Sequence, residues 1–137
     1  MNFLPDEKIA QVLTIDGYDD APYLLLATRQ GLGKKTELKA YDSPRQAGVI
    51  AINFREDGDE LIGAALVSSE DDVLLISRKG QAIRFRVSEV RPTGLGAGGM
   101  RAVKLQGKRD RVVGGGVSDD RANVWVCTDT GVAKSTP

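Results

Sequence analysis

The chain has 137 residues, 41% of them hydrophobic, and 19 basic against 19 acidic side chains, so its formal charge is zero. That length fits one domain able to bury about two-thirds of its unfolded surface, and the composition excludes a disordered polymer. With no histidine and a single cysteine, Cys127, an internal disulfide, a Cys-rich zinc centre and a Ser-His triad are excluded as well.

The start, Met-Asn-Phe-Leu-Pro-Asp-Glu-Lys, lacks the basic-then-apolar layout of a secretory signal. No apolar run approaches the roughly 18 residues of a membrane span. The expected location is cytoplasmic, in association with the nucleoid. Residues 6–15, D-E-K-I-A-Q-V-L-T-I, read as a lone strand. L-L-L-A-T-R-Q-G (24–31) is then a nearly continuous apolar strand closed by a glycine turn, followed by the short strand L-G-K-K. G-V-I-A-I-N-F (48–54) and D-E-L-I-G-A-A-L-V (59–67) supply a third and a fourth strand, with Asp57-Gly58 as the turn between them.

The same order then repeats. V-L-L-I-S-R-K-G (73–80) and Q-A-I-R-F-R match the first two elements, G-M-R-A-V-K-L (99–105) the third and D-R-V-V-G-G-G-V (110–117) the fourth. V-W-V-C-T-D-T-G (124–131) and V-A-K-S begin the pattern once more. Gly31, Gly80 and Gly131 fall in register, as do Thr28, Ser77 and Thr128. Residues 6–15 match the fourth element alone. The chain therefore divides into the end of one unit (1–20), two complete units (21–69 and 70–119) and the start of another (120–137). No window carries a helical period of useful length. A four-strand unit of about fifty residues in tandem predicts an all-β, propeller-type array of about three blades. The incomplete halves at the two ends predict one blade completed within the chain, or between two chains of a homodimer by strand exchange. The second arrangement would make a ring of about six blades. Trp125, Phe85, Tyr23 and Cys127 lie in strand runs and are expected in the core, with the thiol inert.

Charge is distributed unevenly along this pattern. Residues 78–111 carry ten basic side chains (Arg78, Lys79, Arg84, Arg86, Arg91, Arg101, Lys104, Lys108, Arg109 and Arg111) against Glu89 and Asp110, a net of +8 balanced by −8 elsewhere. Arg29, Lys34 and Lys35 of the first complete unit correspond to Arg78, Ile83 and Arg84 of the second, and Lys134 takes the Lys34 position in the third. Basic side chains at successive blade edges would form an arc that neutralises phosphates, a task to which the arginine fork is suited. The literal G-x-G-x-x-G of Gly94, Gly96 and Gly99 precedes a strand, so a dinucleotide site is not expected. Its glycines instead predict a flexible loop that lets backbone amides and Arg91 approach phosphate. Glu56, Asp57, Asp59 and Glu60 lack the ligand order of a calcium loop. No metal and no cofactor is implied.

The ordered motifs T-R-Q-G-L-G-K-K, G-V-I-A-I-N-F, G-D-E-L-I-G-A, G-Q-A-I-R-F and R-P-T-G-L-G-A-G-G resemble the repeat of the gyrase A and topoisomerase IV C-terminal domains. The resemblance covers essentially the whole chain, and I-A-Q-V with A-P-Y-L-L-L-A-T-R is similar to actinobacterial members. It implies a β-pinwheel, a propeller-like disc whose neighbouring blades exchange a strand. It also implies duplex DNA as partner, wrapped around a basic perimeter without regard to base sequence. The wider assembly would be a type IIA topoisomerase, with the rest of gyrase A and gyrase B supplying the chemistry and this chain no catalytic residue. The family's Q-R-R-G-G-x-G box is missing, with S-P-R-Q-A-G (43–48) in the equivalent loop, and Leu95 stands where the family has a second arginine. The site residues expected to meet DNA are Arg29, Lys34, Lys35, Arg45, Arg78, Lys79, Arg84, Arg86, Arg91, Arg101, Lys104 and Lys134. The competing reading is a protein-interaction module without DNA contact, supported by the zero net charge and the acidic remainder.

Overall fold

The computed structural model describes residues 4–45 and 47–137; Met1–Phe3 and Gln46, the latter inside the 43–48 loop, lie outside the described residues. Nine strands and two 3-10 turns make up the regular structure among them, with no α-helix. None of these residues forms a helix long and apolar enough to cross a membrane. In chain order the strands are β1 (Tyr23–Thr28), β2 (Leu32–Glu37), β3 (Leu61–Val67), β4 (Asp72–Ser77), β5 (Ala82–Arg86), β6 (Met100–Arg101), β7 (Val112–Ser118), β8 (Val124–Cys127) and β9 (Ala133–Thr136).

The hairpins close where the sequence puts its glycines. Gly31, Gly80 and Gly131 have φ of 87°, 78° and 86°, a conformation open to glycine at little cost. Each donates its amide to the carbonyl of Thr28, Ser77 or Thr128 at 2.9–3.0 Å. The Thr28 and Thr128 hydroxyls also accept the amides of Leu32 and Val132 at 3.1 and 3.0 Å. A buried carboxylate secures each of the first two hairpins from outside. Asp59 Oδ1 accepts the Gln30 and Glu60 amides at 2.9 Å. Asp110, 51 residues later, accepts those of Lys79, Gln106 and Arg111 at 3.0–3.2 Å. Asp59, which the sequence places beside a poor calcium-loop pattern, is thus one half of a repeated structural clip.

The sheets are antiparallel and lie side by side. One has the order β3-β1-β2-β6, the next β5-β4-β7, and β8-β9 is a separate ribbon. The two sheets meet through β3 and β7, so β2 and β5 lie on their outer sides. Leu25, Val67, Val73, Leu75, Val87, Val90, Val103 and Val112 form one core shared by both sheets. Burying a side chain of this kind contributes about 1.5–3 kcal/mol.

The repeat predicts four consecutive strands in each unit, and the structure distributes them differently. The third element of the second unit leaves its own sheet and pairs as β6 with β2, Leu32 opposite Arg101 and Gly33 opposite Met100. The third element of the first unit, 48–54, forms no strand. β6 already occupies the outer edge of β2, and Ile50 is left 65% exposed. Residues 6–15 likewise form no strand, and β8 pairs only with β9. Without the further partner that β3 and β7 give β1 and β4, most of the ribbon is exposed. Trp125 is 73% exposed and Cys127 is exposed, contrary to their expected burial, whereas Phe85 and Tyr23 pack against the core.

The glycine-rich segment is a packed strap that runs along β2. Pro92 bridges Lys35, the Thr93 amide donates to the Lys35 carbonyl at 2.9 Å, and the chain returns antiparallel as β6. Gly99 (φ 74°) lies so close to β2 that an added Cβ would be 2.9 Å from the Gly33 carbonyl oxygen. Gly58 shares the positive φ (81°) but faces open space. Gly58→Ala is therefore expected to lose about 1 kcal/mol from backbone strain alone, and Gly99→Ala about 3 kcal/mol with the clash added. Urea denaturation of the two variants measures the difference, and equal losses would show that the strap does not press on β2.

Candidate nucleic-acid interface

The twelve basic residues expected at the interface fall into three groups. Lys34 and Lys35 leave the set. They are 1% and 2% exposed, because β2 is covered on its outer side by the strap. Lys34 Nζ donates to the carbonyls of Leu95 and, at 2.6 Å, Ala51. Lys35 Nζ donates to the Val87 carbonyl at 2.9 Å and sits 4.6 Å from the Tyr23 ring centroid. Burial pushes both amines below the ordinary lysine value. Neither ammonium reaches solvent; Lys34 fastens the strap at Leu95, and Lys35 holds the 3-10 turn Val87–Glu89 that leads into it.

A second group is solvent-facing but already partnered. Arg84 and Arg86 project from β5, which among the described residues has no strand on its outer side. Arg84 spans Asp72 and Asp120 at 2.7 and 2.6 Å, and Arg86 lies 3.3 Å from Asp72. The hydrogen bond from Arg84, and after it that from Arg86, holds Asp72 below the usual carboxylate range. Arg29 pairs with Glu60 at 2.8 Å, and Lys79 Nζ donates to the Gln106 carbonyl at 2.7 Å.

The third group is exposed and has no ion-pair partner among the described residues: Arg45, Arg78, Arg91, Arg101, Lys104 and Lys134. Arg91 and Arg101 stand at the two ends of the strap on the outer edge of β2. Lys104 follows beside Val103, which packs on Gly31. Arg45 lies in the loop beyond the 3-10 turn Leu38–Tyr41, and Lys134 lies on β9. Arg78 stands apart from these, at the tip of the β4–β5 hairpin.

The strap is also more firmly held than its glycines suggest. Its carbonyls turn inward: Gly96 accepts Asn53 Nδ2 at 2.6 Å and Gly99 accepts Arg55 Nη2 at 2.5 Å. Gly98 allows the contact, since a Cβ there would be 2.9 Å from the Asn53 oxygen. The expected flexible phosphate loop is instead a fixed spacer that holds Arg91 and Arg101 in place. Lys108, Arg109 and Arg111 belong to the basic block but fall outside the expected site. They line a cleft on the hairpin-tip face together with Arg29 and Arg78. The signal that could have found them is the exchange of Glu60 for Arg111 between repeats.

Known proteins share this arrangement. The family profile described as DNA gyrase C-terminal domain, beta-propeller, matches residues 22–68 and 71–119. The DNA gyrase A protein of Nocardioides sp. (strain ATCC BAA-499 / JS614) is 61% identical over 108 residues, 77% of this chain and 12% of that protein. The DNA gyrase A protein of Streptomyces coelicolor is 51% identical over 98% of this chain and 16% of its own length. The chain thus spans about a sixth or less of these curated relatives. Among solved structures, the C-terminal domain of DNA topoisomerase IV superposes with a TM-score of 0.86 at 30% identity, covering 96% of this chain and 41% of that one.

Lys34 gives the sharpest test of the division into buried and free cations. Lys34→Met leaves two carbonyls without their donor, each worth about 1–3 kcal/mol, and relieves the burial of a charge. The expected net loss is about 2 kcal/mol in urea denaturation, against less than about 0.5 kcal/mol for Lys104→Met at the surface. The folded-state amine titrates below the 10.5 of a free lysine, so the unfolded chain holds more protons just under that pH. Wild-type stability then climbs with pH through that window, and the variant climbs less. An unaffected midpoint in Lys34→Met would return the residue to the surface set.

Proposed function

The chain belongs to the family of DNA gyrase C-terminal domains, which have the propeller-like β-pinwheel fold and are non-catalytic, and from that premise we propose that it binds and bends duplex DNA. The observation that carries the reading is the outer edge of the first sheet. There Arg91 and Arg101, at the ends of a strap locked to β2, and Lys104 just beyond it are exposed and have no acidic partner among the described residues. Phosphates neutralised along that edge release counterions, and contacts of this kind position the protein without reading sequence. Bending 20–30 base pairs by 40–90° costs about 1–6 kcal/mol, which several such contacts offset. Arg45 and Lys134 extend the exposed set.

The likeness to gyrase A supports a wider role, which we propose as well. The chain acts in DNA wrapping within a type IIA topoisomerase, beside the remainder of gyrase A and gyrase B, in the cytoplasm at the nucleoid. The protein-interaction reading is favoured by the apolar surface of the β8–β9 ribbon, where Trp125 and Val132 are 73% and 66% exposed. A gel shift on a duplex of about 40 base pairs at low salt separates the two, since only the DNA reading requires retardation.

Two outcomes are expected from titrations followed by fluorescence anisotropy. Replacing Arg91, Arg101 and Lys104 together by Ala should flatten the slope of log affinity against log salt by about 2 to 3, equally on unrelated sequences. An unchanged slope would remove the strap from the interface. Asp72→Asn combined with Asp120→Asn should release Arg84 and Arg86 and raise affinity several-fold, because two engaged guanidiniums become free for phosphate. If affinity stays level, the β5 arginines face away from the bound duplex.

A further inference from the structure

The two complete repeats share a backbone clamp that carries opposite charges. Thr28 and Ser77 are each followed by an arginine, Arg29 and Arg78. The buried clip residues Asp59 and Asp110 are followed by Glu60 and Arg111. The main chain treats the two pairs alike: the Arg29 amide donates to the Glu60 carbonyl and the Arg78 amide to the Arg111 carbonyl, both at 2.8 Å. In the first repeat the side chains close an ion pair, Arg29 to Glu60, at 2.8 Å. In the second the same two positions hold two guanidiniums.

The neighbouring loop shifts in the same direction. Asp57 and Gly58 of the first repeat become Lys108 and Arg109 of the second. Asp110 forms no ion pair with this cluster among the described residues, and its single charge leaves the group net positive. Its carboxylate is 6% exposed and is engaged by three backbone amides. Burial works against its ionised form, yet those amides hold it below the usual carboxylate range. Arg78, Lys108, Arg109 and Arg111 have no ion-pair partner among the described residues. They line an open cleft of about 630 Å³, where Glu56 is the exposed acid and Arg29 is already committed to Glu60.

Like charges held side by side repel, and a carboxylate occupies this place in the sister repeat. The geometry points to a missing anion: we propose that the cleft is a binding site for linked phosphate groups, distinct from the outer edge that carries Arg91 and Arg101. Several features fit that ligand. Planar guanidiniums meet phosphate oxygens two at a time. Four free cations match the charge of two or three joined phosphates better than that of one, and the cleft is roomy enough for such a chain. The seat is firm, because the Val112 amide donates to the Arg29 carbonyl at 2.8 Å and so ties the strand after the loop to the first hairpin. The phosphates belong either to a free oligophosphate chain or to consecutive positions of a nucleic-acid backbone.

Inorganic tripolyphosphate titrated into the whole chain by calorimetry tests the site without depending on any DNA reading. Saturable binding at one site per chain is expected. Arg111→Glu places the sister repeat's carboxylate beside Arg78, so it should weaken binding at least tenfold while leaving the urea midpoint equal or higher. Arg111→Lys should retain most of the affinity, and Arg91→Ala with Arg101→Ala should leave it unchanged. A duplex that displaces tripolyphosphate identifies backbone phosphates as the occupant; simultaneous binding of both identifies a free oligophosphate. Absence of saturable binding to the wild type, or equal affinity in Arg111→Glu, overturns the proposal.

Discussion

The structure depends on a strap that leaves one sheet to finish another. Residues 91–101 belong by sequence to the second repeat, yet their hydrogen bonds are made along the outer edge of β2 in the first. Two lysines anchor that crossing and its approach from beneath, Lys34 donating hydrogen bonds to the carbonyls of Leu95 in the strap and Ala51, and Lys35 to that of Val87 in the turn before it. A buried ammonium is tolerable only when its donors are met, and a buried carbonyl only when its lone pairs are. Each side of the contact therefore requires the other. Neither repeat completes its packing alone, and Val103, on the second repeat's chain, belongs to the core shared with Leu25 and Val67 of the first. Repeat proteins draw stability from such nearest-neighbour terms, and here the term is a covalently continuous strand.

What the sequence disclosed was mostly local. The threefold glycine register sets three hairpins with the same amide-to-carbonyl closure, because a positive φ at that point leaves little choice of residue. The apolar runs of β1 and β4 announce the centre of each sheet. Lys34 and Lys35 show where this kind of reading stops. In pattern they are ordinary charged strand residues, equivalent to Ile83 and Arg84, and only the strap, some sixty residues further on, buries Lys35 while Arg84 faces solvent. Trp125 and Cys127 fail in the opposite sense. They have strand-core neighbours in sequence, but the strand that would cover them is not paired to β8. Burial of a strand face is a property of its neighbours, and for Lys34 and Lys35 the covering neighbour is distant in sequence.

The charge pattern gains meaning once partners are assigned. A net of +8 over 78–111 overstates what the second repeat offers a polyanion, since Asp72 and Asp120 hold Arg84 and Arg86 in surface pairs. Such pairs contribute little to stability, on the order of 0–1 kcal/mol. Their consequence is that β5 presents neutral ion pairs, and the unpaired charge moves to the strap and to the hairpin-tip cleft. A protein with no net charge thereby carries two regions in which cations outnumber the acids close to them.

The two regions follow from one division of labour within the repeat. Asp59 and Asp110 hold the hairpin amides in the same way, so the turn geometry is fixed by a residue that never varies between the complete units. Fixing the backbone there leaves the side chains of the flanking positions free to differ in charge. Glu60 and Arg111 share a backbone carbonyl role and differ only in the charge they present. The glycines of the strap do the same for Arg91 and Arg101, setting the path of the chain so that side chains on either side are placed without packing demands of their own. A blade built this way keeps one fold while its surface charge is rewritten residue by residue, which is how neighbouring repeats with matching hairpins come to present opposite charges at the same point.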